Sequence, residues 1–254
     1  MKISTTTRNR ILRAAAILGA LILWQAAALF LNQRILLVGP FDVVKELSRQ
    51  ILLPYFWLTV WFSLRRIFSG FILAFAAGAL LAALSYRVKT FKIIIWPYIS
   101  VIKATPVAAI IILILIFLES KNLSVMVAFL IVLPVIYANI LEGLASTDPK
   151  LIEMSEVFRA GLGKRIHYIY IPQLRPHIVA SCSATIGMAW KSGTAAEVIG
   201  IPTGSIGERL YEAKIYLSSS ELFAWTVVII LLSVLMERLA LWLIGRSYGA
   251  LWRS

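Results

Sequence analysis

Apolar residues recur along this chain in runs of about 20, the length of helix that crosses a bilayer core, and polar residues gather between the runs. The first run, roughly 11–31, follows Lys2, Arg8, Arg10 and Arg13. Ala26-Ala27-Ala28 offers small residues at the spacing of a cleaved leader, but the run is long for a leader and reads as a retained helix. Residues 41–52 have apolar positions near helical spacing and predict a surface amphipathic helix after the Gly39-Pro40 turn. Trp57 and Trp61 suit a membrane interface. The later runs are 67–86, 93–118, 123–144, 177–199 and 221–245. Pro97 and Pro106 predict a kinked or broken third run, because proline removes a backbone donor. Glu119-Ser120-Lys121-Asn122 predicts a tight polar turn before the fourth.

Composition supports this pattern. Of 254 residues 60% are hydrophobic and 15% charged, whereas a soluble domain is about 45–50% apolar and 25% charged. The expected fold is an all-α polytopic membrane protein, one transmembrane domain over residues 1–254, with six spans and a polar insert at 145–176. The net charge of +13 does not form a basic face for nucleic acid; it lies in the short segments between runs. With the N-terminus inside, the inside segments hold 14 basic residues and the outside segments 8. That bias predicts both termini on the cytoplasmic side. The single cysteine, Cys182, excludes an intrachain disulfide, and no Cys/His cluster points to a metal.

The insert, which reads "STDPKLIEMSEVFRAGLG" at its start, has helix punctuation. Asp148 can cap the N-terminus, Pro149 fits the first helical position, and Gly161 can close the helix in a left-handed conformation. Leu151, Met154 and Phe158 share one face, while Glu153, Glu156 and Arg159 lie elsewhere. A second short helix, about 164–171, is expected to end at Pro172. The pair makes an amphipathic hairpin too short to span a membrane. An apolar stripe in water needs a partner.

This segment resembles the cytoplasmic EAA loop of ABC-importer permeases. Glu153-Met154-Ser155 stand at the E-A-A positions, and Ile169-Tyr170-Ile171-Pro172 stand at the I-x-L-P positions. Arg159 occupies the family's usual glycine, and Gly161 and Gly163 follow two and four positions later. "VIKATPVAA" and "AWKSGTAAEVIGIPTGSIGERL" are similar to stretches of the nitrate/sulfonate/taurine-type subgroup, and the likeness covers roughly 35–245. The resemblance implies a type I importer permease in the cell (inner) membrane, paired with a second permease copy. Its further partners would be a cytoplasmic ABC ATPase dimer, an extracytoplasmic substrate-binding protein and membrane lipid. The hairpin would be the coupling helix. Its coupling residues would be Leu151, Glu153, Met154, Ser155, Phe158, Gly161, Gly163, Ile169 and Pro172. The solute expected is small, and anionic or a polar heterocycle.

Charges inside apolar runs usually face a cavity or a partner. Lys103, beside the Thr105-Pro106 break, Lys191 and Glu197 are therefore expected along the translocation pathway with Pro106. A structural role competes at each of the three charges. Lys191 and Glu197 are six residues apart, so they do not share a helix face. Gly187 and Gly193 would allow close packing or room for a ligand. "GLGKR" lacks the first glycine and the Ser/Thr of a phosphate-binding loop, so ATP hydrolysis is assigned to a partner and no cofactor is expected. His167 and His177 form no metal or nucleophile constellation. A secondary transporter would need internal repeats and paired charges, and a membrane-embedded enzyme would need converging catalytic residues. Neither set is visible.

Overall fold

The computed structural model describes residues 5–31, 33 and 35–251, with side chains described for 12, 14–31, 33 and 35–246. Lys2, Arg34 and Arg253 of the charge count lie outside the described residues, as do the side chains of Arg8, Arg10 and Arg13. Among the described residues the regular structure is all helical. It comprises α1 (Thr5–Leu31), α2 (Pro40–Ile51), α3 (Pro54–Arg87), α4 (Lys89–Ala104), α5 (Val107–Phe117) and α6 (Ser120–Ala145). These are followed by α7 (Pro149–Val157), α8 (Leu162–Arg165), α9 (Ile171–Gly200), α10 (Ile206–Ile215) and α11 (Ser219–Leu251). A π-helical segment, Ile166–Tyr170, joins α8 to α9.

By length and composition, four helical stretches among the described residues can cross a membrane: Ala14–Leu31, Pro54–Arg87, Ser120–Ala145 and Ser219–Arg246. Taking α4 and α5 as one broken span makes five. α9 has 30 residues, about 45 Å, but its polar content keeps it out of that group. The chain carries many exposed large apolar side chains, among them Leu23, Phe30, Leu73, Ile93 and Phe117, which suits a lipid surround rather than water.

The third run is broken, at one of its two prolines. α4 and α5 meet at 107° across Thr105-Pro106. Thr105 is extended (φ −79°, ψ 128°), as the residue before proline tends to be, and its Oγ1 donates to the Val101 carbonyl at 2.7 Å. Pro97 stays within α4. The polar turn after α5 is shorter than expected, since α6 already begins at Ser120. α10 has no counterpart in the sequence reading.

The bundle is organised on α3 and α6. Gly70, Ala74, Gly78 and Ala82 recur every fourth residue of α3 and are all buried. This stripe lets two backbones approach closely. A Cβ added at Gly70 would collide with the Val125 carbonyl oxygen, and one at Gly78 would lie 2.9 Å from Ile136 Cγ2. Lower down the seam the Tyr137 hydroxyl donates to Ser85 Oγ at 3.0 Å. α9 packs on both helices: Gly193 sits against Ile67 of α3, and Gly143 of α6 against Leu174 and His177. α11 closes the bundle through Trp225, fully buried and stacked on Phe56 with ring centroids 5.0 Å apart. Ser183 of α9 also donates to Glu237 of α11 at 2.7 Å.

Gly70→Val is expected to force α3 and α6 apart and to cost about 1–3 kcal/mol by overpacking. Gly187, where an added Cβ meets nothing within 4 Å, is the control. Thermal unfolding of the purified protein should show a clear drop for Gly70→Val and little change for Gly187→Ala.

Candidate functional site

The polar insert folds into a hairpin between the ends of α6 and α9. Asp148 caps α7 by accepting from the Lys150 amide at 2.9 Å, with Pro149 at the first helical position, as expected. The end of α7 differs from expectation. Gly161 is not the left-handed residue: it is extended (φ −64°, ψ 158°) and starts α8. The left-handed residue is Arg159, at φ 50°. Around it the Ala160 amide donates to the Ser155 carbonyl at 2.8 Å, and the Arg159 amide to the Glu156 carbonyl at 2.9 Å. These are the two bonds of a Schellman closure, whose left-handed position is usually glycine. The turn therefore stays where the permease pattern has its glycine, and an arginine is held there against its steric preference.

The second helix also departs from expectation, because it does not end at Pro172. α8 passes through the π segment, whose Ile171 amide donates to the Ile166 carbonyl, straight into α9. The wider turn comes just before Pro172 and Pro176. It supplies room where a proline ring would otherwise clash with a carbonyl one turn back. A salt bridge from Arg165 Nη1 to Glu156 Oε1 (3.3 Å) ties the two arms together, and Arg165 Nε donates to the Ala160 carbonyl at 3.0 Å.

Burial divides the predicted coupling residues into two groups. Met154 (49% exposed) and Phe158 (76%) stand out from the chain, and Val157 (80%) and Leu162 (61%), which the helical-face count missed, stand out with them. Glu153, Gly161 and Gly163 are also exposed, whereas Leu151 and Pro172 are half-buried. Ser155 and Ile169 are buried. Ser155 Oγ donates to the Ile152 carbonyl at 2.6 Å, which explains a small residue at the third E-A-A position. Both residues are buried, while Met154, Val157, Phe158 and Leu162 stay exposed. An apolar residue at i+3 after Met154 was the signal for Val157.

At the far end of α9 lies a second constellation. Glu197 is fully buried. Its Oε2 accepts from Ser63 Oγ (2.7 Å) and from the Gly207 amide (3.4 Å), and Ser63 Oγ in turn accepts from the Ile206 amide at 2.9 Å. Two amides at the start of α10 are thus held by α9 and α3 together. A Cβ at Gly207 would collide with the Glu197 backbone, so glycine is required there. Ser205 accepts from the Glu208 amide (3.0 Å), and Glu208 accepts from the Gly204 amide (2.6 Å). Gly204 sits at φ 82°. This is a capping box displaced by one residue, and Ser205-x-x-Glu208 was the sequence signal for the unpredicted α10. Glu197 braces the loop here, which is the structural role weighed against a place on the pathway for this residue. Lys103, Pro106 and Lys191 are exposed on the chain. Gly193 serves close packing, and Gly187 borders open space.

The long apolar helices and their exposed apolar side chains describe a membrane-embedded helical bundle with an apolar hairpin at one end. The chain belongs to the family of binding-protein-dependent transport system inner membrane components, whose profile matches residues 70–247. Over 210 residues it is 28% identical to a "Probable ABC transporter permease protein" of Brucella melitensis, covering 81% of this chain and 83% of that one. It is 25% identical to the bicarbonate transport system permease protein CmpB of Synechococcus elongatus (92% and 87% covered). It is 26% identical to the nitrate import permease protein NrtB of the same species (89% and 85%). A crystal structure of an amino acid ABC transporter with histidines shares its fold, with TM-score 0.58, 20% identity, 76% of this chain and 92% of that chain covered.

The left-handed Arg159 generates a prediction. A non-glycine residue in that conformation costs roughly 1–2 kcal/mol, which Arg159→Gly should recover in part. Hydrogen exchange of the amides of Ala160 and its neighbours is then expected to slow by about tenfold for each 1.4 kcal/mol gained. Unchanged or faster exchange would mean that the arginine side chain holds the turn itself.

Proposed function

We propose that this permease subunit of an ABC importer carries a small anionic solute handed over by an extracytoplasmic substrate-binding protein, and that hairpin 148–170 receives the force of a cytoplasmic ATPase. The observation that carries the coupling reading is the exposed cluster of Met154, Val157, Phe158 and Leu162 on the polar hairpin between α6 and α9. The insert around it is charged, and water is a poor neighbour for the apolar cluster. A groove on an ATPase subunit would bury these side chains at about 1.5–3 kcal/mol each. Glu153 on the same exposed helix would be available to a basic group on the rim.

In this reading the permease works as a homodimer in the inner membrane. α9 counts as a span although it is polar, because its polar residues face α3, α6 and a second copy. Exposed Lys103 and Lys191, with the Pro106 break, then belong to the path between copies. The anionic choice rests on the relatives, a bicarbonate and a nitrate permease by name, and on the excess of fixed positive charge.

Replacing Met154 and Phe158 by Asp should leave insertion intact and abolish capture of the ATPase, since a buried unpaired charge is costly. Pull-down of the ATPase, with binding-protein-stimulated ATP hydrolysis in reconstituted membranes, reads this out. Normal capture and normal stimulation would reduce the hairpin to a connecting loop. Reporter fusions test the topology: Asp148 is expected on the cytoplasmic side, and Ser124 and Ser218 outside. An extracytoplasmic signal at Asp148 would invert the reading.

A further inference from the structure

A cavity of about 660 Å³ opens at the end of the bundle opposite the hairpin. Its wall is assembled from distant parts of the chain: Tyr55, Arg65 and Arg66 of α3, Asn122 at the start of α6, Gly204 of the capped loop and Arg209 of α10. The volume is in the range of small-molecule sites, about 300–1,000 Å³. Three guanidinium groups converge on it, and arginine stays charged in any protein environment.

Two of the three are held in place and incompletely satisfied. Arg66 Cζ lies 4.4 Å from the Phe62 ring centroid, and Arg209 Cζ lies 5.1 Å from that of Tyr55. Stacking of this kind orients the guanidinium plane. Arg66 Nη1 and Arg209 Nε are buried yet make no hydrogen bond among the described residues. With those two nitrogens packed inside, the remaining donors of each guanidinium are the ones left to reach a ligand in the open cavity. Glu197 lies close enough to Arg66, and Glu212 to Arg209, to offset part of their charge. Glu212 takes one donor of Arg209, at 2.8 Å. Glu208 is turned to the Gly204 amide, and the bonded oxygen of Glu197 to Ser63 and Gly207.

Building on the proposed function, we propose that this cavity is the permease's own receiving site for a small oxyanion, a nitrate-, carboxylate- or sulfonate-like group held by Arg66 and Arg209. Planar guanidinium donors match such oxygens in pairs. Aromatic walls from Tyr55, Trp61 and Phe62 accommodate a short carbon skeleton behind the anionic head. The position suits delivery, since in the proposed topology this end faces the binding protein. The site also accounts for arginines in segments that the charge rule would otherwise leave sparse. The same donors could hold a lipid phosphate, so the experiment separates the two sources.

The test is arginine-specific labelling by phenylglyoxal of the full-length chain in phosphatidylcholine nanodiscs, read by peptide mass spectrometry. Sodium ethanesulfonate and sodium nitrate are each compared with sodium chloride at equal ionic strength. Either oxyanion is expected to slow labelling of Arg66 and Arg209 by about tenfold, the equivalent of one charge-assisted hydrogen bond. Exposed Arg87 and Arg175 should be unaffected. Arg209→Gln should abolish the protection of Arg66, whereas Lys214→Gln should preserve it. Absence of protection by both anions overturns the site. So does protection that arises only when phosphatidylglycerol is added, which would make it a lipid headgroup site. ATPase capture measured on the same preparations keeps the two claims apart: lost protection with capture intact removes the anion site alone, and failed capture removes the coupling reading.

Discussion

Inside a bilayer, backbone amides and carbonyls have no water to bond, so the chain must satisfy them within its own helices. Everything distinctive in this structure happens where that rule is interrupted. The interruptions are the Thr105-Pro106 break, the hairpin at 148–170 and the loop at 201–205. Each is repaired locally. Thr105 Oγ1 bonds back to the Val101 carbonyl, and the hairpin closes α7 through the paired bonds around Arg159. At the third break, buried Glu197 and Ser63 supply acceptors for the first amides of α10. A carboxylate deep in an apolar chain thus replaces acceptors that water or helix would otherwise provide.

Close packing makes the bundle a lever. Along α3 and α6 the small residues Gly70, Ala74, Gly78 and Ala82 bring backbone against backbone, leaving little freedom to slide. The hairpin is fixed at both roots. His177 packs on Gly143, and its ring nitrogen lies 3.3 Å from Ser146 Oγ. Ser155 and Ile169 are buried beneath the exposed stripe. In the proposed coupling, a push on Met154 or Phe158 would reach α6 and α9 through these roots.

Much of this was legible in the sequence because it depends on local rules. Apolar runs, the Asp148-Pro149 helix start and the break at Pro106 all follow from residues a few positions apart. What was missed had other causes. A left-handed arginine contradicts propensity, and only the surrounding hydrogen bonds show why Arg159 takes that role rather than Gly161. Pro172 reads as a helix end because proline breaks ordinary helices; a π turn before it removes the clash. The bracing of Glu197 joins residues 63, 197 and 207, and the arginine cavity joins 65, 66 and 209. Neither has a sequence spacing to be read. The Ser205-x-x-Glu208 box was local and readable, but it lies in a short stretch that apolar periodicity ignores.

α9 is the element on which both ends of the molecule turn. It begins in the π segment at the root of the hairpin and ends at Gly200, three residues past Glu197. Over that length of about 45 Å it is a single helix, with prolines only near its hairpin end, at 172 and 176. In the proposed coupling, a rotation or tilt at the hairpin would reach Glu197 along this one helix. There the carboxylate grips Ser63 and the start of α10, which carries Arg209 into the cavity wall. Arg66 stands on α3, one turn beyond Ser63. A displacement of α9 relative to α3 must then change the separation of the two guanidinium groups, or break the short bond between Glu197 and Ser63. In the proposed reading, force applied to the exposed apolar tip at one end would in this way reach the arginine cavity at the other, through one continuous helix and one buried carboxylate.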